Sequence, residues 1–244
     1  MTVGPHTHEP NRPWYLRDTG FRDLLTEEDR MAFMQVCPER PYSRGETIFH
    51  AGEPAEALHV VAHGQVKLVA HTASGEERIL AVLGPEDFFG EAFLWEENHY
   101  RVDAIALTDA ATCPMTRAQL MQLGLRAPTF VVGFLKIMAT QVMACRTHLA
   151  WSNRPIRARV ANIVADQVRR FGSPDGDDGW FRLETPLKHD EIASLASATR
   201  VSVTTAFGQL RTQGILEGSR GSYRAYLPGL ADEAEGDEDD AGAR

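Results

Sequence analysis

The sequence predicts an α+β fold in three successive parts: a β-rich N-terminal domain, a long central helix and a mainly helical C-terminal domain. Between about residues 41 and 123, short apolar runs alternate with glycines, which is typical of a sandwich, barrel or jelly roll. Residues 129–152 carry apolar side chains three and four positions apart, which predicts one long helix. Residues 155–230 combine helical periodicity with two short strand-like segments near their end.

Length and composition suit a soluble protein with two modest domains. The chain has 244 residues, of which 43% are hydrophobic and 24% are charged, so it is long enough to bury a real core. Its first residues lack the basic and apolar regions of a signal peptide, and no uninterrupted apolar run is long enough to span a membrane. We therefore expect a cytoplasmic protein.

Three cysteines, Cys37, Cys113 and Cys145, lie far apart in the sequence. Such an odd and scattered set argues against a disulfide framework and against a local metal or iron–sulfur site. We expect all three to be small buried side chains.

The net charge of −9 is unevenly distributed along the chain. Residues 231–244 form an acidic tail with seven acids against one arginine, and this composition predicts disorder. From Pro155 to Leu230, ten lysines and arginines outnumber eight acids, so this part is mildly positive and suits nucleic acid. The tail either serves solubility or competes with nucleic acid for the basic surface.

The N-terminal domain is predicted to span residues 21–126, after an irregular, proline- and histidine-rich arm over residues 1–20. A short amphipathic helix with apolar side chains between Phe21 and Met34 opens this domain. The strands follow, and the sequence ASGEE at 73–77 has the composition of a hairpin turn.

The long helix is predicted over residues 127–153, with one apolar stripe along its length. A small β domain would leave part of this stripe exposed, and parallel pairing of two copies of the chain would cover it. The alternative is that the stripe packs wholly within its own chain. Its members are Phe130, Phe134, Ile137, Met138, Val142, Cys145 and Leu149.

Two short helices joined by a tight turn are predicted in the C-terminal domain, which spans residues 154–230. KHDEIASLA indicates the first helix, and TRVSVTTAFGQLRTQ indicates the second, with Val203, Phe207 and Leu210 facing inward. GILEGSRGSYRAYLP follows as two short strands. This is the pattern of a winged helix-turn-helix, whose second helix enters the major groove of double-stranded DNA.

The outward residues of the second helix are polar or basic and are the candidate DNA contacts. Arg200 is the first candidate for a base or a phosphate, because a guanidinium binds guanine through two hydrogen bonds. The other candidates at the start of this helix are Thr199, Ser202, Thr204 and Thr205. Contacts to the DNA backbone are expected from Gln209, Arg211, Arg220 and Arg224.

From about Leu24 to Leu227, the chain resembles the superfamily of the bacterial cyclic-AMP receptor protein and the fumarate–nitrate regulator. The resemblance rests on the glycine-punctuated β domain, on FFGEAFLWEENHYRVDA at 88–104, on the long helix and on HDEIASLASATRVSVTTAFGQLRTQGIL at 189–216. It implies a cyclic-nucleotide-binding-like β-roll (a jelly roll), a dimerisation helix and a winged helix-turn-helix. It also implies a homodimeric, sequence-specific transcription regulator that binds a near-palindromic DNA site and contacts RNA polymerase.

The same resemblance indicates where a small effector would bind. Cyclic-AMP-binding members have a Gly-Glu pair and, ten residues after the glutamate, an arginine followed by a serine. Here Gly90, Glu91 and Arg101 match, whereas Val102 takes the place of the serine, and the Thr-Ser pair of the dimerisation helix is replaced around Cys145. Cyclic AMP is therefore one candidate effector, and an effector-independent dimer is the alternative. A haem group is a third possibility, with its ligand drawn from His50, His59, His63, His71 and His99.

The start of the second helix departs from the family pattern. Many members have Arg-Glu-Thr-Val there, whereas this chain has Arg200-Val201-Ser202-Val203, and Thr205 replaces a downstream arginine. Val201 has no acceptor for cytosine, although its side chain suits contact with a thymine methyl group. We therefore expect the DNA half-site to differ from the one that is common in the family.

The sequence does not favour catalysis. No Ser/His/Asp set, phosphate loop or metal-ligand cluster occurs at a workable spacing, so we predict that the protein is not an enzyme. A different class of function is a ligand-binding module that regulates a partner protein through the winged domain.

Overall fold

The N-terminal domain of the computed structural model is a β-roll flanked by helices. The structure describes residues 26–72, 75–95, 98–176, 178–219 and 221–236, so the predicted arm and the end of the acidic tail lie outside the described residues. The elements of this domain are α1 (Glu27–Val36), β1 (Arg40–Tyr42), β2 (Thr47–Phe49), β3 (Ala57–His63), β4 (Val66–His71), β5 (Glu77–Leu83), β6 (Phe88–Phe89), β7 (Asp103–Ala106), β8 (Ala110–Thr116) and α2 (Arg117–Arg126).

The eight strands that the structure describes here form two antiparallel sheets. One sheet has the order β1-β8-β3-β6 and the other has the order β2-β7-β4-β5. Their facing side chains are apolar, and Leu58, Phe88, Phe89 and Met115 are almost fully buried between them. The predicted jelly roll is therefore confirmed, since the short apolar runs of the sequence become strands with one face in the core.

Helix α1 lies against the helices that follow the roll. Thr26 caps its first turn by accepting a hydrogen bond from the Asp29 amide at 3.1 Å, and the Asp29 carboxylate accepts from the Thr26 amide at 3.0 Å. Phe33 stacks on Phe130 with ring centroids 5.7 Å apart. The part of the predicted helix that begins at Phe21 lies outside the described residues.

The expectation that the cysteines form no disulfide was wrong for two of them. Cys37, at the end of α1, and Cys113, in β8, form a disulfide across 76 residues of sequence, with their Cα atoms 5.2 Å apart. The sequence hides this pair because only the fold brings α1 against β8. Cys113 is buried, as expected, whereas Cys145 is a free thiol and is exposed, against the expectation.

Helix α3 (Pro128–Trp151) follows α2 after a single residue, close to the predicted range of 127–153. Phe130 and Ile137 are buried against the roll. The opposite side carries exposed apolar residues, namely Val131, Val132, Leu135, Val142 and Leu149. Among the described helices, α3 is the one whose length and composition would allow it to cross a membrane, and helices of soluble proteins meet the same criterion.

The C-terminal domain consists of helices around a small antiparallel sheet of order β11-β12-β10-β9. Its core contains Val160, Leu183, Phe207 and Leu216, and each of them is at most 1% exposed. The elements are α4 (Ile156–Phe171), β9 (Ser173–Pro174), β10 (Trp180–Glu184), α5 (His189–Leu195), α6 (Arg200–Thr212), β11 (Leu216–Ser219), β12 (Ser222–Tyr226) and α7 (Leu227–Glu235).

Helix α7 changes the predicted boundary of the acidic tail. The tail was predicted to begin at 231, but the helix continues to Glu235 because Leu230 and Ala234 are buried. Glu233 forms an ion pair with Arg157 of α4 at 2.8 Å. Arg154, in the link between α3 and α4, donates to the carbonyl oxygens of Ala234 at 2.9 Å and Glu235 at 3.2 Å. These contacts hold the acidic start of the tail in a helix.

The two domains of the chain pack against each other through the outer face of the β4–β5 hairpin. Val69, Ile79 and Val82 of the roll share one apolar cluster with residues of the C-terminal domain such as Ile192. Ion pairs flank this cluster: Lys67 Nζ lies 2.7 Å from Glu191 Oε1, and Arg170 of α4 pairs with Asp87 of the roll. The first helix of the predicted helix-turn-helix, α5, therefore packs directly on the β-roll.

Candidate functional site

The turn between α5 and α6 has the geometry of a helix-turn-helix. α5 ends at Leu195 with Ala196 as its C-cap, and Ser197 adopts a left-handed backbone conformation with φ of 48°. The Ala198 amide donates to the Ala193 carbonyl oxygen at 2.9 Å, which closes the turn. Thr199 then caps α6 by accepting from the Ser202 amide at 3.2 Å.

Helix α6 has one buried face and one open face. Val203, Phe207 and Leu210 are buried, as the sequence predicted. On the open side, the side chain of Arg200 is 70% exposed and Val201 is 75% exposed. Arg200 lies 3.7 Å from the Asp190 carboxylate, a solvent-exposed pair that holds the guanidinium only weakly.

The hydroxyl residues of α6 are bonded locally but lie at its surface. Thr204 donates to the Arg200 carbonyl oxygen at 2.9 Å, and Thr205 donates to the Val201 carbonyl oxygen at 3.1 Å. Ser202 is half-buried, and its hydroxyl pairs with that of Thr199 at 2.9 Å. Thr204 also shares a hydrogen bond with His189 Nδ1 at 3.1 Å, whereas the Thr205 oxygen keeps acceptor capacity for a further partner.

The residues that were predicted to contact the DNA backbone lie in different environments. Gln209 is exposed on α6, whereas Arg211 donates from Nε to the Gly218 carbonyl oxygen of the wing at 3.0 Å. Arg224 binds the Asp175 carboxylate at 2.6 Å, and this hydrogen bond raises the pKa of the guanidinium above its usual range. Arg224 therefore fastens β12 to the loop after β9. Arg220 lies outside the described residues.

The candidate effector residues of the roll lie on two segments that meet at Gly90 and Tyr100. Gly90 has φ of 83°, and a Cβ atom there would lie 3.1 Å from the Ala57 carbonyl oxygen and 3.2 Å from the Tyr100 ring. The structure therefore requires glycine at this position. Glu91 and Arg101 follow Gly90 and Tyr100 directly, so the contact between the glycine and the tyrosine brings their two segments together.

Both charged candidates are exposed. Glu91 opens a 3₁₀ turn that runs to Leu94, and Arg101 lies just before β7. Val102 is half-buried and has no hydroxyl group. From α3, Gln141 Nε2 donates to the Phe88 carbonyl oxygen at 2.8 Å, whereas Cys145, one turn further on, is exposed.

Aromatic rings fill the roll beneath this site. Phe49 and Tyr100 stack with centroids 3.6 Å apart and planes within 8°. His59 is 6% exposed, lies 5.1 Å from the Phe89 ring and shares a hydrogen bond of 3.2 Å with the Thr112 hydroxyl. Burial, with a smaller contribution from the charge of Arg40, lowers the pKa of His59 to about 4.

Two of the candidate haem ligands, His59 and His71, have hydrogen-bond partners within the roll. His59 is bonded to Thr112, and His71 pairs with Asp103 at 2.8 Å, a hydrogen bond that raises the pKa of His71. Within the described ranges, no group of three or more His, Cys, Asp or Glu side chains is placed to hold a metal ion.

Sequence reasoning missed the residues that join the two domains. Lys67 and Glu191 are separated by 124 residues and look like ordinary surface charges in the sequence. Arg78 of β5 donates to the Ser197 hydroxyl in the helix-turn-helix turn, and the Ile79 amide donates to the Ser194 hydroxyl at 2.7 Å. No local motif marks these residues, because their partners lie in the other domain.

Two family models match the chain, one for each domain. Residues 39–126 match the cyclic nucleotide-binding domain, and residues 158–228 match the Crp-like helix-turn-helix domain. The second match ends in β12 and the start of α7, so it contains the whole turn, the recognition helix and the wing.

Curated relatives of similar length are regulators. The chain is 28% identical to the "CRP-like cAMP-activated global transcriptional regulator" of Mycobacterium tuberculosis over 176 residues, which cover 71% of this chain and 77% of that protein. It is 28% identical to the "Cyclic AMP receptor protein" of Thermus thermophilus over 214 residues, which cover 87% of this chain and 94% of that protein. Among solved structures, FixK2 from Bradyrhizobium japonicum has the same fold, with a TM-score of 0.68 at 24% identity over 81% of this chain and 96% of that one.

Proposed function

Since the chain belongs to the superfamily of the cyclic-AMP receptor protein and the fumarate–nitrate regulator, we propose that it acts as a homodimer on a near-palindromic DNA site, under the control of a small effector. That it is a transcription regulator with a cyclic nucleotide-binding domain and a DNA-binding helix-turn-helix follows from both family models and from the named relatives. The dimer, the effector, the DNA sequence and a contact with RNA polymerase are the parts that we propose.

The open face of α6 is the observation that carries the DNA-reading role. Arg200 and Val201 project from its first turn, where a recognition helix meets base edges. An arginine there suits a guanine, and a valine suits a thymine methyl group. Thr199, Ser202, Thr204 and Thr205 supply hydroxyl groups for phosphates or bases on the same side.

The exposed apolar side of α3 supports the homodimer. Val132, Leu135 and Leu149 are 65%, 60% and 71% exposed in the single chain, and they lie along one 24-residue helix. Pairing with α3 of a second copy would remove these side chains from water. Two recognition helices related by this pairing would fit successive major grooves about 34 Å apart.

A cyclic nucleotide is the effector class that the roll suits best. Glu91 offers a carboxylate to ribose hydroxyl groups, and Arg101 offers a guanidinium to a cyclic phosphate. Such a ligand would contribute charge and hydrogen-bonding groups and would not be chemically changed by the protein. The hydrogen bond from Gln141 to the Phe88 carbonyl oxygen connects the segment before Gly90 to α3. A nucleotide bound at this segment would therefore act on the position of the dimer helix.

An effector-independent dimer is the second candidate, and one observation favours it. Val102 provides no hydroxyl donor beside Arg101, and Cys145 offers at best a weak one from α3. In that case, the packing of α5 on the β4–β5 hairpin would hold the DNA-binding domain in one orientation without a ligand.

Selection from random duplex DNA tests the DNA-reading role. We expect a near-palindrome to emerge with half-sites one helical turn apart, and Arg200→Ala should weaken binding to it by about 1–3 kcal/mol. Selection of no common sequence at moderate salt, with and without cyclic nucleotides, would refute sequence-specific regulation.

Isothermal titration of the full chain with cyclic AMP tests the effector. We expect heat of binding from the unmodified protein and a weaker response from Arg101→Gln. Absence of heat, together with intact DNA binding, would refute cyclic AMP as the effector.

A further inference from the structure

Arg78 lies where the sensor domain touches the DNA-reading turn. It is the second residue of β5, its side chain is exposed, and its guanidinium donates a hydrogen bond to the Ser197 hydroxyl. Ser197 comes two residues before Thr199, the cap of the recognition helix α6. A basic side chain of the β-roll therefore reaches the start of the DNA-binding surface.

Two further contacts fix the strand that carries Arg78. The next residue, Ile79, donates its backbone amide to the Ser194 hydroxyl of α5 at 2.7 Å and buries its side chain in the shared apolar cluster. On the paired strand β4, Lys67 binds Glu191 at 2.7 Å. Since these three contacts all reach α5 or the turn after it, the position of Arg78 is set by the docking of the domains.

The guanidinium of Arg78 retains most of its hydrogen-bonding capacity. It has five N–H groups, and within the described part of the chain it is bonded to the neutral Ser197 hydroxyl and to no carboxylate. Arg159 lies behind the same turn, where it donates to the Ala196 carbonyl oxygen at 2.7 Å. Arg200 follows Ser197 by three residues in the sequence, so three arginines lie at or next to this turn.

We propose that Arg78 is a DNA-backbone contact that the sensor domain adds to the helix-turn-helix. The first residues of a recognition helix enter the major groove, so the turn before that helix lies near the phosphates at the edge of the groove. An exposed arginine bonded to that turn is within reach of such a phosphate. This proposal depends on the proposed DNA-binding mode of α6. It extends the DNA-binding surface of the protein over both domains.

The position of Arg78 gives the sensor domain a direct effect on DNA affinity. Any movement of the roll relative to α5 would carry Arg78 away from the turn, and the phosphate contact would be lost with it. An effector that holds the two domains together would then strengthen DNA binding, and DNA would in turn favour the docked arrangement.

The salt dependence of DNA binding tests this contact. Fluorescence anisotropy with a selected duplex is measured for the full chain and for Arg78→Ala over a range of salt concentrations. Each lost phosphate contact lowers the slope of log K against log salt by about 0.9, so we expect the two copies in a dimer to lower it by about 2. Affinity should fall by about 3- to 30-fold, equally for selected and random duplexes.

Two matched variants separate a DNA contact from a structural effect. Arg78→Lys keeps the charge and should restore the slope. Arg126→Ala removes an exposed arginine of α2, a helix that packs on the opposite sheet, and should leave the slope as in the parent chain. A common melting temperature for all four proteins checks that each is folded.

The possible outcomes are distinct. Tighter DNA binding by Arg78→Ala would show that Arg78 obstructs the turn, and an unaltered slope would show that it serves domain packing alone; either result overturns the contact. Failure of the parent chain to bind DNA would overturn the proposed function, and the contact with it.

Discussion

Protonation of buried His59 should destabilise the β-roll in mildly acidic solution. The folded protein binds this proton only near pH 4, whereas an unfolded histidine binds it near pH 6.5. The unfolded state therefore takes up more protons as the pH falls through this window, and the free energy of unfolding decreases. A pKa difference of this size corresponds to about 2 kcal/mol of lost stability between pH 7.5 and pH 5.

The variant His59→Phe isolates this contribution. It keeps a ring against Phe49 and Phe89, and the loss of the hydrogen bond to Thr112 affects both pH values equally. Urea unfolding followed by the fluorescence of the roll, at pH 7.5 and pH 5, should show a smaller pH-dependent loss for the variant than for the parent chain, by about 2 kcal/mol. An equal loss in the two proteins would refute the reasoning, and so would a His59 NMR titration centred near pH 6.5.

Three further perturbations address the domain interface, the dimer and the effector loop. Lys67→Met and Glu191→Gln, alone and combined, should show a coupling of about 1 kcal/mol in a double-mutant cycle of unfolding, because the pair is mostly buried; additive effects would mean that the pair contributes nothing. Leu135→Arg should convert a dimer to a monomer in sedimentation with little change in helix content, and a persistent dimer would place the interface elsewhere. Gly90→Ala should destabilise the roll by about 1–2 kcal/mol more than Gly52→Ala does, since both have positive φ but only Gly90 is crowded; equal melting temperatures would contradict this.

Local patterns were enough to predict the fold. The alternating apolar runs become β3, β4 and β5, and the apolar spacing after Thr129 becomes α3, because each pattern matches the period of its element. The inward face of α6 was also predicted correctly at Val203, Phe207 and Leu210. In these segments, burial is decided by residues close together in the sequence.

Contacts between distant parts of the chain could not be predicted in this way. The Cys37–Cys113 disulfide depends on α1 being folded back onto β8. The acidic composition of residues 231–235 predicted disorder, yet these residues form the end of α7 because Leu230 is buried against the rest of the domain. The composition of a segment indicates how polar it is on average, but it does not indicate whether another part of the fold offers a surface on which the segment packs.

For the candidate site, residue type indicated which side chains lie at the surface but not which of them face an acid. Arg200 lies on the open face of α6, as expected, but Arg224 was expected at DNA and is bound to Asp175. Both arginines look alike in the sequence, and their difference comes from whether an acid faces them in the fold. The sequence did not indicate the roles of Lys67 and Arg78 of the roll, since their partners lie in the other domain.

The chain returns at its C-terminal end to the place where its two domains are joined. Arg154, in that link, holds the last carbonyl groups of α7, and Arg157 holds Glu233, about 80 residues further along. A fluorophore or affinity tag attached just after Gly236 would therefore lie close to the link between α3 and α4. A deletion that removes Ala234 and Glu235 would take away the carbonyl groups that Arg154 binds as well as shorten the chain, so tags and truncations at this end belong after Gly236.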